Sequence, residues 1–119
     1  MEQSIIGQKS KQFAIRIIKF SQWLRATKNE HVISKQILRS GTSIGANVRE
    51  SKNAQSLADF IFKLTIALKE ADETCYWLEI LYESEIISET EFKLIYADAE
   101  ELVKILVSTI KTNKSKLKK

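Results

Sequence analysis

The chain has 119 residues, of which 44% are hydrophobic and 29% charged, with three glycines, no proline and one cysteine. A chain of this length forms one domain that buries roughly two thirds of its unfolded surface. The single cysteine, Cys75, excludes an intrachain disulfide and a cysteine-rich zinc site, and is typical of a small core residue in a reducing compartment. No leader-like or membrane-spanning apolar run occurs, so we expect a soluble, cytoplasmic protein.

The net charge of +4 is distributed unevenly along the chain. Residues 1–55 hold 10 Lys and Arg against 3 acidic residues, residues 56–110 hold 4 against 12, and residues 111–119 hold 5 Lys and no acid. A basic half and an acidic half in one small domain indicate either assembly of copies or a face for a polyanion. The absence of proline and the long helix-period patterns predict an all-α fold, an up-and-down bundle of four helices.

The first predicted helix covers residues 8–27. Its core stripe is Phe13, Ile17, Phe20 and Leu24. A neighbouring stripe, spaced 4, 3 and 4, is Gln12, Arg16, Lys19 and Trp23. Basic and aromatic groups interleaved in this way fit a phosphate backbone with a base stacked on Trp23. The alternative for Trp23, a position at the edge of the core, is the commoner role of a tryptophan beside an apolar face.

The second predicted helix, residues 32–53, contains two glycines that weaken a helix by about 1 kcal/mol each. Gly41 and Gly45 stand four residues apart on one side, where a neighbouring helix can approach closely. Ser40, Ser43 and Asn47 can hydrogen-bond across that contact. The connection before this helix contains His31, the sole histidine, which we expect to be an ordinary surface or loop residue because no partner stands at metal-ligand spacing.

The same helix separates an apolar face from a basic one at 100° per residue. Its outward stripe is Lys35, Arg39, Thr42, Ala46 and Arg49. Such a stripe is either a solvated face or a phosphate-binding surface, and charge patterning alone is a weak discriminator.

The third predicted helix, residues 57–82, is apolar on two sides. One side faces its own core. The second apolar set, interrupted by Glu73, is Phe62, Ile66, Trp77 and Ile80. A helix of this kind in a four-helix domain is shared with another subunit, and we predict these five residues at an oligomer interface.

The fourth predicted helix, residues 89–111, opens with a capping box at Ser88 and Glu91. Residues 112–119 form a predicted basic tail that includes Lys114 and Lys116. We expect this tail to fray and to add electrostatic affinity for polyanions without specificity.

The sequence contains no phosphate-binding glycine loop, nucleophile elbow, paired histidines or Cys-His arrangement. Glu70 and Glu73 are a carboxylate pair without a second catalytic group, and polar contacts at an interface are the simpler interpretation. We therefore expect no enzyme activity, no cofactor, no metal and no small-molecule substrate.

The stretch Ser40 to Glu50, with Asp59-Phe60, Ile66 to Thr74 and Tyr76 to Leu78, resembles a known family. The family comprises four-helix bundle proteins first noticed as products of intervening sequences in bacterial 23S rRNA genes. The resemblance spans nearly the whole chain. Its most specific part is the spacing of Ser43, Ile44, Asn47 and Glu50. The structural motif that we predict here consists of Gly41, Ser43, Gly45, Asn47 and Glu50.

The resemblance implies antiparallel bundles that assemble into ring-shaped homopentamers. A related branch comprises the accessory variability determinants of diversity-generating retroelements, which are basic pentamers that bind nucleic acid and a reverse transcriptase. Where this chain has Arg49-Glu50-Ser51, many intervening-sequence members have Ala-Glu-Gly, so both branches stay open.

Two functional hypotheses follow, beside the alternative of a purely structural bundle with no ligand. The first is a non-enzymatic, oligomeric RNA- or DNA-binding accessory protein, with a reverse transcriptase as a further partner. Its predicted nucleic-acid-binding residues are Arg16, Lys19, Lys35, Arg39, Arg49, Lys114 and Lys116. The second is a protein scaffold of the same family that binds no nucleic acid.

Overall fold

The computed structural model describes residues 4–117, which form four α-helices and, within that range, no strand. The helices are α1 (Ile5–Thr27), α2 (Ile33–Ser51), α3 (Leu57–Glu83) and α4 (Glu89–Leu117). The predicted all-helical fold is therefore confirmed. None of these helices is both long enough and apolar enough to cross a membrane.

Polar side chains begin the helices where the sequence places cap residues. Ser4 accepts a hydrogen bond from the Gly7 N–H at 3.0 Å, so α1 starts three residues before its predicted start. Ser88 accepts from the Glu91 N–H at 3.2 Å, and the Glu91 carboxylate accepts from the Ser88 N–H at 2.7 Å. This reciprocal pair is the predicted capping box, and it satisfies backbone donors that a helix start leaves free.

The start of α2 is capped by a residue outside the helix. Val32 at the N-cap position offers no side-chain acceptor. Instead the Glu30 carboxylate accepts from the N–H groups of Val32, Ile33 and Ser34 at 3.1, 3.0 and 2.7 Å. The chain reaches this geometry through Asn29, whose φ of 53° is left-handed.

Each helix packs on its neighbour in sequence, and α1 also contacts α4, which closes a four-helix bundle. The core is built from apolar side chains of all four helices, and its members with no exposed area include Ile17, Leu24, Ile37, Ile44, Ala67, Leu78, Ala99 and Leu106. Polar contacts between helices join Ser21 to Ser34, Arg39 to Glu70, Glu79 to Tyr96 and Arg16 to Asp98.

The two glycines of α2 face α1 at very short range. A Cβ on Gly41 would lie 2.8 Å from Ile17 Cγ2, and one on Gly45 would lie 3.2 Å from the Ser10 carbonyl oxygen. The predicted close approach of another helix is confirmed. The expected hydrogen bonds across it are wrong in detail, because Ser43 and Asn47 bond to carbonyls of their own helix.

Ser40 does bond across a helix contact, but on the other side of α2. Its hydroxyl and that of Thr74 on α3 are 2.9 Å apart, and both residues are fully buried. The pair gives these buried oxygens a partner inside the core, where an unpaired polar group is costly.

The end of α4 corrects the prediction of a frayed tail. The helix continues to Leu117, and the Asn113 amide donates to the Thr109 carbonyl at 2.8 Å. Lysine is a good helix former, and Lys114 and Lys116 are favoured by the negative end of the helix dipole. Residues 118 and 119 of the predicted tail lie outside the described part of the chain.

Cys75 lies on α3 and is buried, as predicted. Burial raises the pKa of its thiol to about 11, and the nearby carboxylates of Asp72, Glu79 and Glu100 act in the same direction. The thiol is therefore protonated and shielded at neutral pH. One turn further along the same side of α3, a hydrogen bond from Tyr96 to Glu79 raises the pKa of the Tyr96 phenol.

Candidate nucleic-acid interface

Two of the predicted nucleic-acid-binding residues are held in ion pairs within the bundle. The Arg16 guanidinium binds Asp98 of α4. Arg39 binds Glu70 at 2.8 Å and also binds Glu73, both on α3. A carboxylate beside each guanidinium cancels most of its positive field, so these two arginines contribute less to a polyanion surface than the sequence suggests.

The other predicted cations are exposed. Lys19, Lys35 and Arg49 point to solvent from α1 and α2, and Lys114 and Lys116 do so from the last turn of α4. Among residues 4–117 no carboxylate pairs with any of these five.

The predicted stripe on α1 does not continue the stripe on α2. Arg16, Lys19 and Trp23 border a shallow groove toward α4, whose other side includes Glu91 and Leu94. Trp23 is half-buried, its ring stacks on Phe20 with a centroid distance of 5.8 Å, and it packs against the core. The core-edge alternative for Trp23 is therefore the one that the structure favours.

A deeper groove of about 460 Å³ lies between α1 and α2. Three basic side chains border it, Lys11 from α1 and Arg49 and Lys52 from the end of α2. All three are exposed, and none forms an ion pair within the described residues. The remaining lining residues are Gly7, Ala14, Thr42, Gly45, Ala46 and Glu50.

The groove exists because its floor has almost no side chains. Gly7 and Ala14 of α1 line it together with Gly45 and Ala46 of α2, and Lys52 extends over the first turn of α1, with its Nζ 3.4 Å from where a Cβ on Gly7 would stand. Larger residues at these positions would fill the space between the helices. Gly45 thus contributes both to the close helix contact and to the concave surface beside it.

Lys11 and Lys52 were not among the predicted site residues. The sequence does contain a signal for them, since Gly7, Lys11 and Ala14 recur at 4 and 3 on the side of α1 away from its other basic stripe, and Lys52 follows Arg49 by three. This spacing identifies Lys11 and Lys52 as site residues only when it is known that this side of α1 packs against α2.

The predicted interface residues on α3 do not form a continuous exposed patch. Phe62 is 59% exposed. Ile66, Glu73, Trp77 and Ile80 are half-buried, because α2 covers part of this side of α3. Trp77 packs against the core and donates its indole N–H to Glu73 at 3.1 Å. The exposed aromatic side chains of α3 are Phe62 and Tyr76, the latter 54% exposed.

Glu73 joins α2 and α3 and is held as a carboxylate. The hydrogen bond from Trp77 has the largest effect and, with the Arg39 guanidinium, lowers the pKa of Glu73 from its ordinary value of 4.5, while burial acts in the opposite direction. Glu70 and Glu73 therefore have a structural role within one chain: both carboxylates bind Arg39 and so connect α3 to α2.

Residues 4–117 contain no cluster of three His, Cys, Asp or Glu side chains that could hold a metal ion. His31 is exposed in the connection between α1 and α2, as predicted, and its Nε2 lies 2.8 Å from Asn29 Oδ1.

The family model described as 23S rRNA-intervening sequence protein matches residues 2–108. The chain belongs to this family. A crystal structure from Bacteroides thetaiotaomicron, described as a protein of unknown function from the S23 ribosomal protein family, is 53% identical with a TM-score of 0.89. The similarity covers 90% of this chain and 99% of that one. No curated protein is significantly similar to the chain.

Membership of the family confirms the resemblance that the motif around Gly41 to Glu50 carries. In the structure these residues form the contact with α1 and an ion pair with α3. Ile44 is fully buried, and Glu50 binds Lys63 of α3 at 3.0 Å. The motif is thus explained by packing, and the functional surface lies beside it.

Proposed function

We propose that the protein is a non-enzymatic, oligomeric accessory protein of the cytoplasm that binds RNA or DNA through the surface of α1 and α2. The observation that supports this most is the charge balance of residues 4–56. Of their ten Lys and Arg, three are paired to carboxylates of α3 or α4. The seven that remain are Lys11, Lys19, Arg25, Lys28, Lys35, Arg49 and Lys52.

The same segment offers no carboxylate to balance them. Its two acidic residues, Glu30 and Glu50, are both engaged, Glu30 as the cap of α2 and Glu50 in the ion pair with Lys63 of α3. A surface with several unbalanced cations attracts a polyanion, and contacts to phosphates supply most non-specific nucleic-acid affinity.

Fluorescence anisotropy tests this function directly. Labelled single-stranded and duplex RNA and DNA are titrated with protein at several salt concentrations. Affinity should fall steeply with salt, with a log-log slope of about −0.7 per phosphate contacted on a single strand. An absence of binding at about 20 mM salt, where electrostatic attraction is least screened, would contradict the proposal.

We further propose that the antiparallel, up-and-down bundle assembles into a ring, for which the family resemblance implies five subunits. The interhelix contacts support the antiparallel order, since Arg39 pairs with Glu70 while Glu50 pairs with Lys63. The acidic α3 with its exposed Phe62 and Tyr76 can meet basic side chains of α1 and α2 that lie outside the groove, such as Lys19 and Lys35, on a second copy. A contact between two different surfaces does not form a twofold dimer, and it builds a ring when the rotation between neighbouring copies closes.

The same exposed aromatic pair favours a second candidate, a protein scaffold whose partner is another protein, such as a reverse transcriptase. The genomic neighbourhood discriminates the two branches of this family: an adjacent reverse transcriptase gene favours the retroelement role, and an rRNA gene favours the intervening-sequence role.

A further inference from the structure

We propose that the groove between α1 and α2 seats the sugar-phosphate backbone of a single nucleic-acid strand. This inference rests on the proposed function and assigns it to one site. Lys11, Arg49 and Lys52 are the residues that bind phosphate, and Ala46 is the residue that keeps the groove open.

The three cations approach the groove from both helices. Lys11 and the Nζ of Lys52, which reaches over the first turn of α1, stand on the α1 side, and Arg49 stands on the α2 side, so a chain of phosphates lying between the helices meets positive charge along both edges. The one carboxylate in the lining, Glu50, has its charge countered by Lys63. The local field is therefore positive at the place where the surface is concave, and a concave wall strengthens such a field.

The dimensions of the groove favour one strand over a duplex. Its volume of about 460 Å³ lies within the range of ligand-sized sites. Axes of packed helices are about 8–10 Å apart, whereas the major groove of B-DNA alone is about 12 Å wide. The two grooves of B-DNA are about 8.5 and 7.5 Å deep, so a duplex is about 16 Å or more across and is too broad to enter the space between α1 and α2. A single backbone is the narrower occupant.

The residues that line the groove also predict that the protein does not recognise base sequence there. It contains glycine, alanine, threonine and charged side chains and no aromatic ring. Bases therefore have no stacking platform in the groove and point outward, so binding should depend little on base sequence.

The experiment compares two variants with the same change in charge. Lys11→Ala/Arg49→Ala/Lys52→Ala empties the groove of cations, and Lys69→Ala/Lys104→Ala/Lys111→Ala removes three exposed cations of α3 and α4 that have no ion pair among residues 4–117. Anisotropy uses a labelled 20-nucleotide single strand of mixed sequence and the matching duplex. We expect the groove variant to lose about tenfold or more in single-strand affinity and the control about threefold or less.

A second variant tests the groove without changing any charge. Ala46 is exposed, so Ala46→Leu fills the groove while keeping a strong helix former, and Ala97→Leu on the exposed side of α4 is its control. Ala46→Leu should weaken single-strand binding about fivefold or more, leave the melting temperature unchanged and leave duplex binding nearly unaffected; Ala97→Leu should change none of these.

The outcomes separate this inference from the proposed function. If the wild type binds but both triple variants lose affinity equally, or if Ala46→Leu binds as the wild type does, the protein binds nucleic acid elsewhere and the groove assignment is wrong. If the wild type prefers the duplex, the groove assignment is also wrong. If the wild type binds neither probe at low salt, the proposed function fails with it.

Discussion

Gly41 sets the distance between α1 and α2, and it does so against its own helix propensity. Alanine at an ordinary helix position gains about 1 kcal/mol over glycine. At Gly41 the added Cβ would stand 2.8 and 2.9 Å from two carbons of Ile17, a fully buried side chain that has no room to move. The steric term should therefore exceed the propensity term.

We predict that Gly41→Leu destabilises the protein by about 1–3 kcal/mol or more, the usual cost of overpacking. Gly41→Ala should also lower stability, although by less. Gly45→Ala is the matched comparison, because its Cβ meets the Ser10 backbone at 3.2 Å or more, a milder contact than the one at Gly41. Urea denaturation of the three variants measures these changes in the free energy of unfolding. A Gly41→Ala protein more stable than wild type would show that Ile17 moves easily to make room for the added Cβ.

The Glu73 carboxylate gives the second prediction at this scale, which concerns pH. Its pKa is lowered in the folded state by Trp77 and Arg39. A lowered carboxylate pKa stabilises the fold at pH values above the unfolded value of about 4.5, and that contribution is lost as the pH falls through the folded pKa.

Glu73→Gln should therefore be less stable than wild type at pH 7, and the difference should shrink below pH 4.5. The amide oxygen of Gln can still accept from Trp77, so the comparison isolates the charge. Glu83→Gln, at an exposed position, is the control. Thermal melts between pH 3 and 7 measure both, and a stability difference that stays constant over this range would contradict the role of Glu73.

At the scale of elements, the start of α2 depends on one side chain that the helix does not contain. Glu30 accepts three backbone N–H bonds there, and the N-cap residue itself supplies none. We predict that Glu30→Ala costs about 0.5–2 kcal/mol, the range for losing an N-cap. Glu30→Gln should recover part of the loss, and Glu83→Ala should cost much less. Denaturation midpoints of these variants test the cap; equal midpoints for Glu30→Ala and Glu83→Ala would refute it.

The four helices could be predicted from sequence because the apolar period and the Ser caps act locally. The sequence predicts the wrong end for α4, because a tail that cannot bury side chains indicates fraying, whereas lysines at a helix C-terminus need no burial to stay helical. The sequence does not reveal the cap of α2, because Glu30 acts from outside the helix through a left-handed Asn29. Both errors concern helix ends, where backbone geometry decides.

At the scale of the whole molecule, the exposed aromatic residues of α3 predict association. Phe62→Glu and Tyr76→Glu should shift the mass measured by multi-angle light scattering toward the monomer without lowering the melting temperature, because both side chains are more than half exposed. Trp77→Glu is a poorer test, since Trp77 packs against the core and its loss would also unfold the chain. A monomeric wild type at micromolar concentration would overturn the ring.

The candidate nucleic-acid interface is only partly predictable from the sequence, because it depends on contacts between helices. The sequence identified Arg49 and Lys35, but it also included Arg16 and Arg39, whose charges are countered by carboxylates at least 31 residues away in the chain. It omitted Lys11 and Lys52, which share a site only because α1 and α2 pack side by side. Which cations are free, and which lie together, depends on contacts between helices.

The buried thiol of Cys75 allows the transient opening of the bundle to be measured by alkylation kinetics. Its raised pKa of about 11 leaves little thiolate at pH 8, and its burial keeps reagents out. A maleimide can therefore react only with molecules that have transiently opened, and when reclosing is fast the labelling rate follows the population of the open form. Because the chain has one cysteine, each labelled molecule carries a single mass increment. Mass spectrometry over time then gives the free energy of opening, which can be compared between the protein alone and the protein with a nucleic-acid strand bound.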